Sequence, residues 1–412
     1  MLKSIWVYVV SRLVDSVPHS YFWRILMRQL NAWKKMVSII SVATVLVTPL
    51  TGQAKDAVKI AFIGPLTGGV SSTGLGGRNS AQLAVDQYNA DPAGKYQVEL
   101  VKLDDECKPA VGVQVVTRAA TDRSIVGAVG HYCSAVAIVT VDTFHRFGLP
   151  LVIWGAVLPE ITYGNNYKEV HRVNGTMINE GKMAAEYVHK AGFKRVAMIY
   201  DTTDYGKGQG VHFTDALQQY PDITVTGSYG VDVSQQDFSA ELTAAQRGNP
   251  DVIWFGGLTP QGVAIKAQLE RIGISTPFIG VSGILNEGFI AGLGPAVAEG
   301  VVSFHNGAPI EKYAHGKEFL AAYGAAGFKE EPDAYGPFAY SATKLLIDAI
   351  EKVGPNRAKV RDALNATRDY ESLVGTINFD EHRQNITSAH QYVVQDGKWV
   401  YWVDSKYGKG PQ

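Results

Sequence analysis

Short, nearly continuous apolar runs alternate with stretches whose apolar positions recur every three or four residues. The runs Val58–Leu66, Tyr96–Leu103, Ile125–Gly130, Pro150–Trp154 and Arg195–Asp201 read as strands, as do Ile223–Val231, Asp251–Gly256, Pro277–Val281 and Gly300–His305. Several lack the in–out alternation of a half-exposed strand, which is how parallel strands buried on both faces look. Between them Ala81, Ala84, Val85 and Tyr88, and later Ala184, Tyr187, Val188 and Ala191, fall at helical spacing. This βα alternation predicts an α/β protein of parallel sheets covered by helices on both faces.

The last third reads differently. Ala342, Leu345, Leu346, Ala349, Ile350 and Val353 form a long apolar helical stripe, and Arg357 to Thr367 a further helix. Thr376–Phe379 reads as a terminal strand, and His390–Val394 with Lys398–Val403 as a hairpin turning at Gln395-Asp396-Gly397. Nothing repeats, and no Pro-rich linker separates the parts. The 358 residues after position 54 are too many for one ordinary core and imply two domains. Two domains without a linker imply a chain that passes back and forth between them, which makes a hinge.

The first 54 residues stand apart. Arg28, Lys34 and Lys35 precede an apolar core from Val37 to Pro49, followed by Gly52 and Ala54 at the −3 and −1 positions of a cleavage site after Ala54. That core is shorter than the ~20 apolar residues a membrane span needs, so it reads as a secretory signal starting near Met27. The preceding stretch, with Ile5, Trp6, Val7, Tyr8, Val9 and Val10, reads as an upstream extension, or else as a membrane-surface anchor. No cysteine follows the core to carry a lipid.

Charge then narrows the partners. Lys and Arg number 38 and Asp and Glu 39; the first 54 residues hold six and one of these, leaving 32 against 38. A mildly acidic chain has no electrostatic footprint for nucleic acid. The two cysteines, Cys107 and Cys133, are 26 positions apart. In an oxidising compartment they are expected to form a disulfide; the alternative is two buried thiols. A thiol nucleophile at Cys133 beside His131 is disfavoured, because a disulfide removes the thiolate. Gly74-Leu75-Gly76-Gly77 lacks the spacing of a dinucleotide fingerprint, and no nucleophile elbow, phosphate loop or zinc-ligand helix occurs. The ten histidines are scattered. The sequence therefore predicts a binder and no enzyme, with no cofactor and no metal.

The order of the local motifs is distinctive. The strand ending in Leu66 runs into Thr67-Gly68-Gly69; then come Asp104-Asp105-Glu106-Cys107, Gly130-His131-Tyr132-Cys133-Ser134, Pro159-Glu160-Ile161-Thr162, Asp201 with Tyr205-Gly206-Lys207-Gly208, Asp237-Phe238-Ser239, Phe255-Gly256-Gly257 and Phe379-Asp380. In this order they resemble the leucine/isoleucine/valine-binding protein family, the type I periplasmic solute-binding proteins that feed ABC importers. The resemblance covers essentially all of the chain after the signal. It implies two doubly wound lobes joined by a multi-strand hinge: residues 55–174 with 305–380 in one, 175–304 with 381–412 in the other. It also implies a monomer located in the periplasm, a small-molecule ligand and a membrane permease as partner.

A site can be placed partly without the family. Loops at the carboxyl ends of parallel strands and helix N-termini offer unpaired N–H groups that favour a carboxylate. Ser134 directly follows a strand and opens a helix, so it is expected either to bind a ligand carboxylate or to serve only as a helix cap. By resemblance, Tyr132 and Cys133 line the pocket beside it, Gly155 supplies a carbonyl, and Tyr205 closes from the second lobe. The pattern breaks at Val157, which replaces a threonine, at Ser282, which replaces the glutamate that meets an ammonium, and at Leu258 and Thr73, which replace aromatics. Asp204, and behind it Glu287, are the candidate substitute acids; Trp154 either fills pocket space or belongs to the core. The expected function is the binding component of an amino-acid importer. The alternatives are the same role for an aromatic or other carboxylate or amide lacking an ammonium, and a periplasmic ligand sensor.

Overall fold

The computed structural model describes residues 55–408, and Arg24 in the segment before them. The signal segment, the cleavage after Ala54 and the upstream extension lie outside the described residues. The described residues from Lys55 onward form one compact unit.

The described chain opens with four βα steps and a fifth strand: β1 (Asp56–Gly64), α1 (Ser71–Ala90), β2 (Tyr96–Asp104), α2 (Pro109–Thr121), β3 (Ile125–Val129), α3 (Ser134–Phe147), β4 (Leu151–Ile153), α4 (Glu160–Tyr163) and β5 (Val170–Arg172). The strands pair in the order β2-β1-β3-β4-β5, all parallel. A second series follows: α5 (Met177–Lys190), β6 (Arg195–Asp201), α6 (Asp204–Leu217), β7 (Thr224–Val231), α7 (Ser239–Arg247), β8 (Val252–Gly256), α8 (Thr259–Arg271), β9 (Phe278–Gly280), α9 (Glu287–Leu293), α10 (Pro295–Ala298) and β10 (Val302–His305). Its parallel part, β7-β6-β8-β9-β10, repeats the order of the first sheet.

The chain then returns to the first lobe with α11 (Gly316–Ala325), α12 (Gly336–Val353), α13 (Arg357–Asn365) and the small ladder β11 (Tyr370–Ser372) and β12 (Gly375–Ile377). It ends on the second sheet, where β13 (His390–Gln395) lies antiparallel to β10 and to β14 (Lys398–Tyr401). Asp396 and Gly397, the two residues of that hairpin's turn, both have positive φ (52° and 74°), the geometry the sheet twist favours and an Asp-Gly pair tolerates.

Apolar residues explain each layer. Val58, Ile60 and Phe62 on one face of β1 meet Val85 of α1 and the Ala342–Leu346–Ile350 stripe of α12; Ala61 and Ile63 on the other face meet Val116, Ala137, Val141 and Phe144. In the second lobe Ile199, Ile253 and Phe255 pack on Leu242, Ile265 and Phe289.

Three crossings join the sheets, after Arg172, after His305 and after Asn385, and they are hydrogen-bonded to one another. Asn385 Nδ2 donates to the Val173 carbonyl (3.0 Å), Gln384 Nε2 to that of Asn174 (2.6 Å), Asn306 Nδ2 to that of Thr176 (3.2 Å) and Asn179 Nδ2 to that of Thr387 (2.9 Å). The Arg172 guanidinium is fully buried among them; it donates to the carbonyls of Ala156 (3.1 Å) and Leu158 (2.7 Å), to Thr162 Oγ1 (2.6 Å) and to Gln384. It thereby pins the loop after β4 to the third crossing.

Candidate functional site

A sheet of order 2-1-3-4-5 has one switch point, where the connections leave in opposite directions and a crevice opens at the carboxyl ends of the strands. Here the switch points lie between β1 and β3 in one lobe and between β6 and β8 in the other. The loops leaving those four strands face a cavity of about 680 Å³, within the usual range for small-molecule sites. Gly69 and Val70 follow β1, Tyr132 to Ala135 follow β3, Thr202 to Tyr205 follow β6, and Leu258, Pro260 and Gln261 follow β8. Both lobes therefore contribute to one cleft.

On the first lobe the cleft is built around the start of α3. Ser134 Oγ accepts from the amides of Val157 (3.1 Å) and Leu158 (3.2 Å), which leaves its hydroxyl proton to donate elsewhere. The amides of Ser134 and Ala135, in the first turn of α3, have no intrahelical partner. Two N–H groups without helical partners, one hydroxyl and the positive end of a 14-residue helix are the kinds of group that favour an anion. Cys107 and Cys133 are disulfide-bonded, with Cα atoms 5.5 Å apart, and both line the cleft. The bridge ties the β2–α2 loop to the residue before Ser134. Beneath it His131 Nδ1 meets Asp105 Oδ2 (2.9 Å) and its Nε2 meets Thr140 (3.2 Å), so this buried imidazole is fully occupied in holding the loop.

The inner end of the cleft is aromatic. Tyr132 stacks on Trp154 (ring centroids 5.7 Å) and meets Tyr335 edge-on (5.0 Å); Tyr205 faces them from the second lobe. Burial pushes all three phenols well above their ordinary range, and nearby carboxylates add to the effect, so they act as neutral hydroxyls. Tyr205 Oη accepts from the Gly283 amide (3.0 Å) and lies 3.5 Å from Ser282 Oγ.

Of the residues singled out from sequence, Tyr132, Cys107, Cys133, Ser134, Gly155, Asp204, Tyr205 and Leu258 line the cleft. Asp204 is exposed, at the first position of α6, with Lys207 nearby on the same rim. Thr73, Val157 and Ser282 do not line it. Thr73 donates from Oγ1 to Asp333 Oδ2 (2.8 Å); Val157 packs into the core with its amide bonded to Ser134 Oγ; Ser282 lies behind Tyr205. Trp154 is fully buried under Tyr132, and Glu287 is exposed away from the cavity.

Sequence reasoning passed over Tyr335 and Asp333. They sit just before α12, far along the chain from Tyr132 and Ser134, and only a Pro-Asp-Ala-Tyr turn ahead of an apolar helix marks them. It also passed over Glu180, buried in the first turn of α5. Among the described residues no cluster of three or more potential metal ligands occurs.

The sequence matches the periplasmic binding protein family over residues 57–398. It is 29% identical over 335 residues to the leucine-, isoleucine-, valine-, threonine- and alanine-binding protein of Pseudomonas aeruginosa, covering 80% of this chain and 87% of that one. It is 31% identical over 354 residues to the Leu/Ile/Val-binding protein BraC3 of Rhizobium johnstonii, covering 84% and 93%. The fold matches the branched-chain amino acid transporter substrate-binding protein LivJ of Streptococcus pneumoniae, solved in complex with isoleucine, with a TM-score of 0.77 at 25% identity over 84% of this chain and 98% of that one.

Proposed function

The chain belongs to the periplasmic binding protein family, and from this we propose that it is the solute-binding component of an ABC-type importer for amino acids of the branched-chain class. Membership of that family implies a periplasmic location. The observation that carries the reading is the cleft itself: two switch points facing each other, with the α3 amides and Ser134 at one side and an apolar, tyrosine-rich wall at the other. An anion seat beside an apolar chamber suits a carboxylate with an apolar side chain. The ligand meets the first lobe through Ser134 and Gly155; rotation about the three crossings then brings Tyr205 and Leu258 across it and excludes water. The closed complex is what a membrane permease receives.

A second ligand class has its own support. The three tyrosines offer neutral hydroxyls and ring faces, which also fit an aromatic carboxylate without an ammonium. Calorimetric titration of the purified protein with leucine, isoleucine, valine, threonine and alanine, and in parallel with benzoate, separates the two. One-to-one binding of an amino acid supports the main reading; binding of benzoate alone transfers the role to aromatic acids. Ser134→Ala is expected to weaken whichever ligand binds by about tenfold or more, since a hydrogen bond to a charged group contributes roughly 1.5–3 kcal/mol. Unchanged affinity would move the anion seat away from α3.

A further inference from the structure

One carboxylate beside the cleft is left unused by the contacts described above. Glu180 is 1% exposed. Its Oε2 accepts from Gln209 Nε2 (2.7 Å) and from Ser282 Oγ (2.9 Å), and its Oε1 accepts from Asn306 Nδ2 (2.8 Å). These donors come from α6, from the turn after β9 and from the second crossing, and all are neutral. Among the described residues no Lys, Arg or His forms an ion pair with it. A carboxylate taken out of water without a counter-charge is costly, and the neighbouring cavity is where that charge can be supplied.

The groups around it fit this role. The phenols of Tyr132, Tyr205 and Tyr335 face it, and each feels its negative charge. His305, next to Asn306, is held down to about 4 by burial and stays neutral. Asp333, which acts on Tyr132, and Asp201, which acts on Tyr205, carry the same sign as Glu180 when ionised. The lysines that line the cavity, Lys108 and Lys207, are exposed, and among the described residues neither forms an ion pair with Glu180. Ser282 Oγ, which donates to Glu180, is 3.5 Å from Tyr205 Oη, so the path from carboxylate to cavity wall is a single hydroxyl and a phenol.

We propose that Glu180 is the specificity-determining counter-charge for a cationic group on the ligand: it acts through Ser282 and Tyr205 to hold an ammonium at the tyrosine end, while the ligand carboxylate faces the α3 amides. The proposal rests on the amino-acid reading of the cleft and deepens it. It also links binding to a proton. Burial pushes the Glu180 carboxyl up to about 7 against the favourable pull of its donors; an arriving cation favours the ionised form, so binding near neutrality expels that proton.

The test is calorimetry with leucine and with 4-methylpentanoate, its skeleton without the ammonium, at pH 6, 7 and 8 in buffers of different ionisation enthalpy. For the wild type, leucine affinity is expected to rise about tenfold from pH 6 to pH 8 with proton release, while 4-methylpentanoate shows no such rise. Glu180→Gln is expected to lose the pH dependence and to narrow the preference for leucine over 4-methylpentanoate at least tenfold. Ser282→Ala removes one donor to the carboxylate and is expected to move the midpoint of the pH profile upward, which keeps the test sound if the Glu180 variant does not fold. Leucine binding that is flat from pH 6 to 8, or a Glu180→Gln protein with wild-type preference and profile, overturns the inference and leaves the amino-acid reading standing. Binding of 4-methylpentanoate without leucine overturns it and transfers the site to simple carboxylates. Binding of neither overturns both.

Discussion

Asp333 shows what a single side chain contributes at this site. It has positive φ (58°), a region where Asn is also at ease, and its carboxylate accepts from Thr73 Oγ1 and from the Ala334 amide. Burial pushes its carboxyl up to about 6 despite those donors. A carboxyl raised in the folded state binds its proton more tightly there than in the unfolded chain. Its contribution to stability is therefore complete below about pH 4 and is lost as pH rises to about 6. Asp333→Asn removes that dependence. The difference in unfolding free energy between variant and wild type is expected to grow in favour of the variant from pH 4 to pH 7, by on the order of 2–3 kcal/mol, and to be flat above. Denaturant titrations of the ligand-free protein at pH 4, 5, 6 and 7 measure it; a constant difference would mean that the carboxyl is not perturbed. Nothing adjacent in sequence announces Asp333, because its burial comes from α1, to which it is bonded across 260 positions.

Elements deliver these side chains through close backbone approaches. A Cβ at Gly74 of α1 would lie 1.8 Å from the Pro65 carbonyl oxygen, and one at Gly76 would lie 2.3 Å from that of Glu331. These glycines are packing positions: Gly74 lies against Pro65, Gly77 against the Trp154 ring, and Gly76 against Glu331 and Pro332, the chain that carries Asp333 and Tyr335. Gly76→Ala is expected to push that chain away, lowering the melting temperature by several degrees and weakening ligand binding together; intact affinity with lowered stability would separate Tyr335 from the site. The disulfide acts similarly on the other wall. Cys107→Ser is expected to cost about 3–4 kcal/mol in oxidising buffer, the chain-entropy value for a loop of this length, and reductant on the wild type should reproduce it. Strands were the most legible elements: nine apolar runs correspond to β1–β4 and β6–β10. The strand β5 escaped notice because Val-His-Arg carries no run; its His171 and Arg172 are buried by the crossings, not by local pattern. Legibility at the site followed the same rule. Residues that follow directly on a strand, such as Tyr132, Ser134 and Tyr205, can be placed from the βα pattern. Whether Thr73, Val157 or Ser282 reaches the cavity depends on side-chain packing that spacing does not encode.

At the scale of the molecule, the two lobes already touch at the mouth of the cleft. A Cβ at Gly69, in the loop after β1, would lie 2.9 Å from Cγ of Pro260 at the start of α8, and one at Gly288 would lie 3.9 Å from Ser72 Oγ. The lack of a side chain at Gly69 is therefore what allows the lobes to approach this closely. A ligand draws the lobes together only by the difference between its affinities for the closed and open forms, so any cost added to the closed form is subtracted from binding. Gly69→Val adds that cost and touches neither Ser134 nor the tyrosine wall. It is expected to weaken affinity about tenfold, equivalent to roughly 1.4 kcal/mol, mainly through faster dissociation. The melting temperature of the ligand-free protein should stay within about a degree, as for a surface change outside the core. Small-angle scattering of the ligand-saturated variant should give a larger radius of gyration than that of the saturated wild type, with the two ligand-free proteins alike. A saturated variant as compact as the wild type, or one that binds equally tightly, would show that the lobes do not close against this contact.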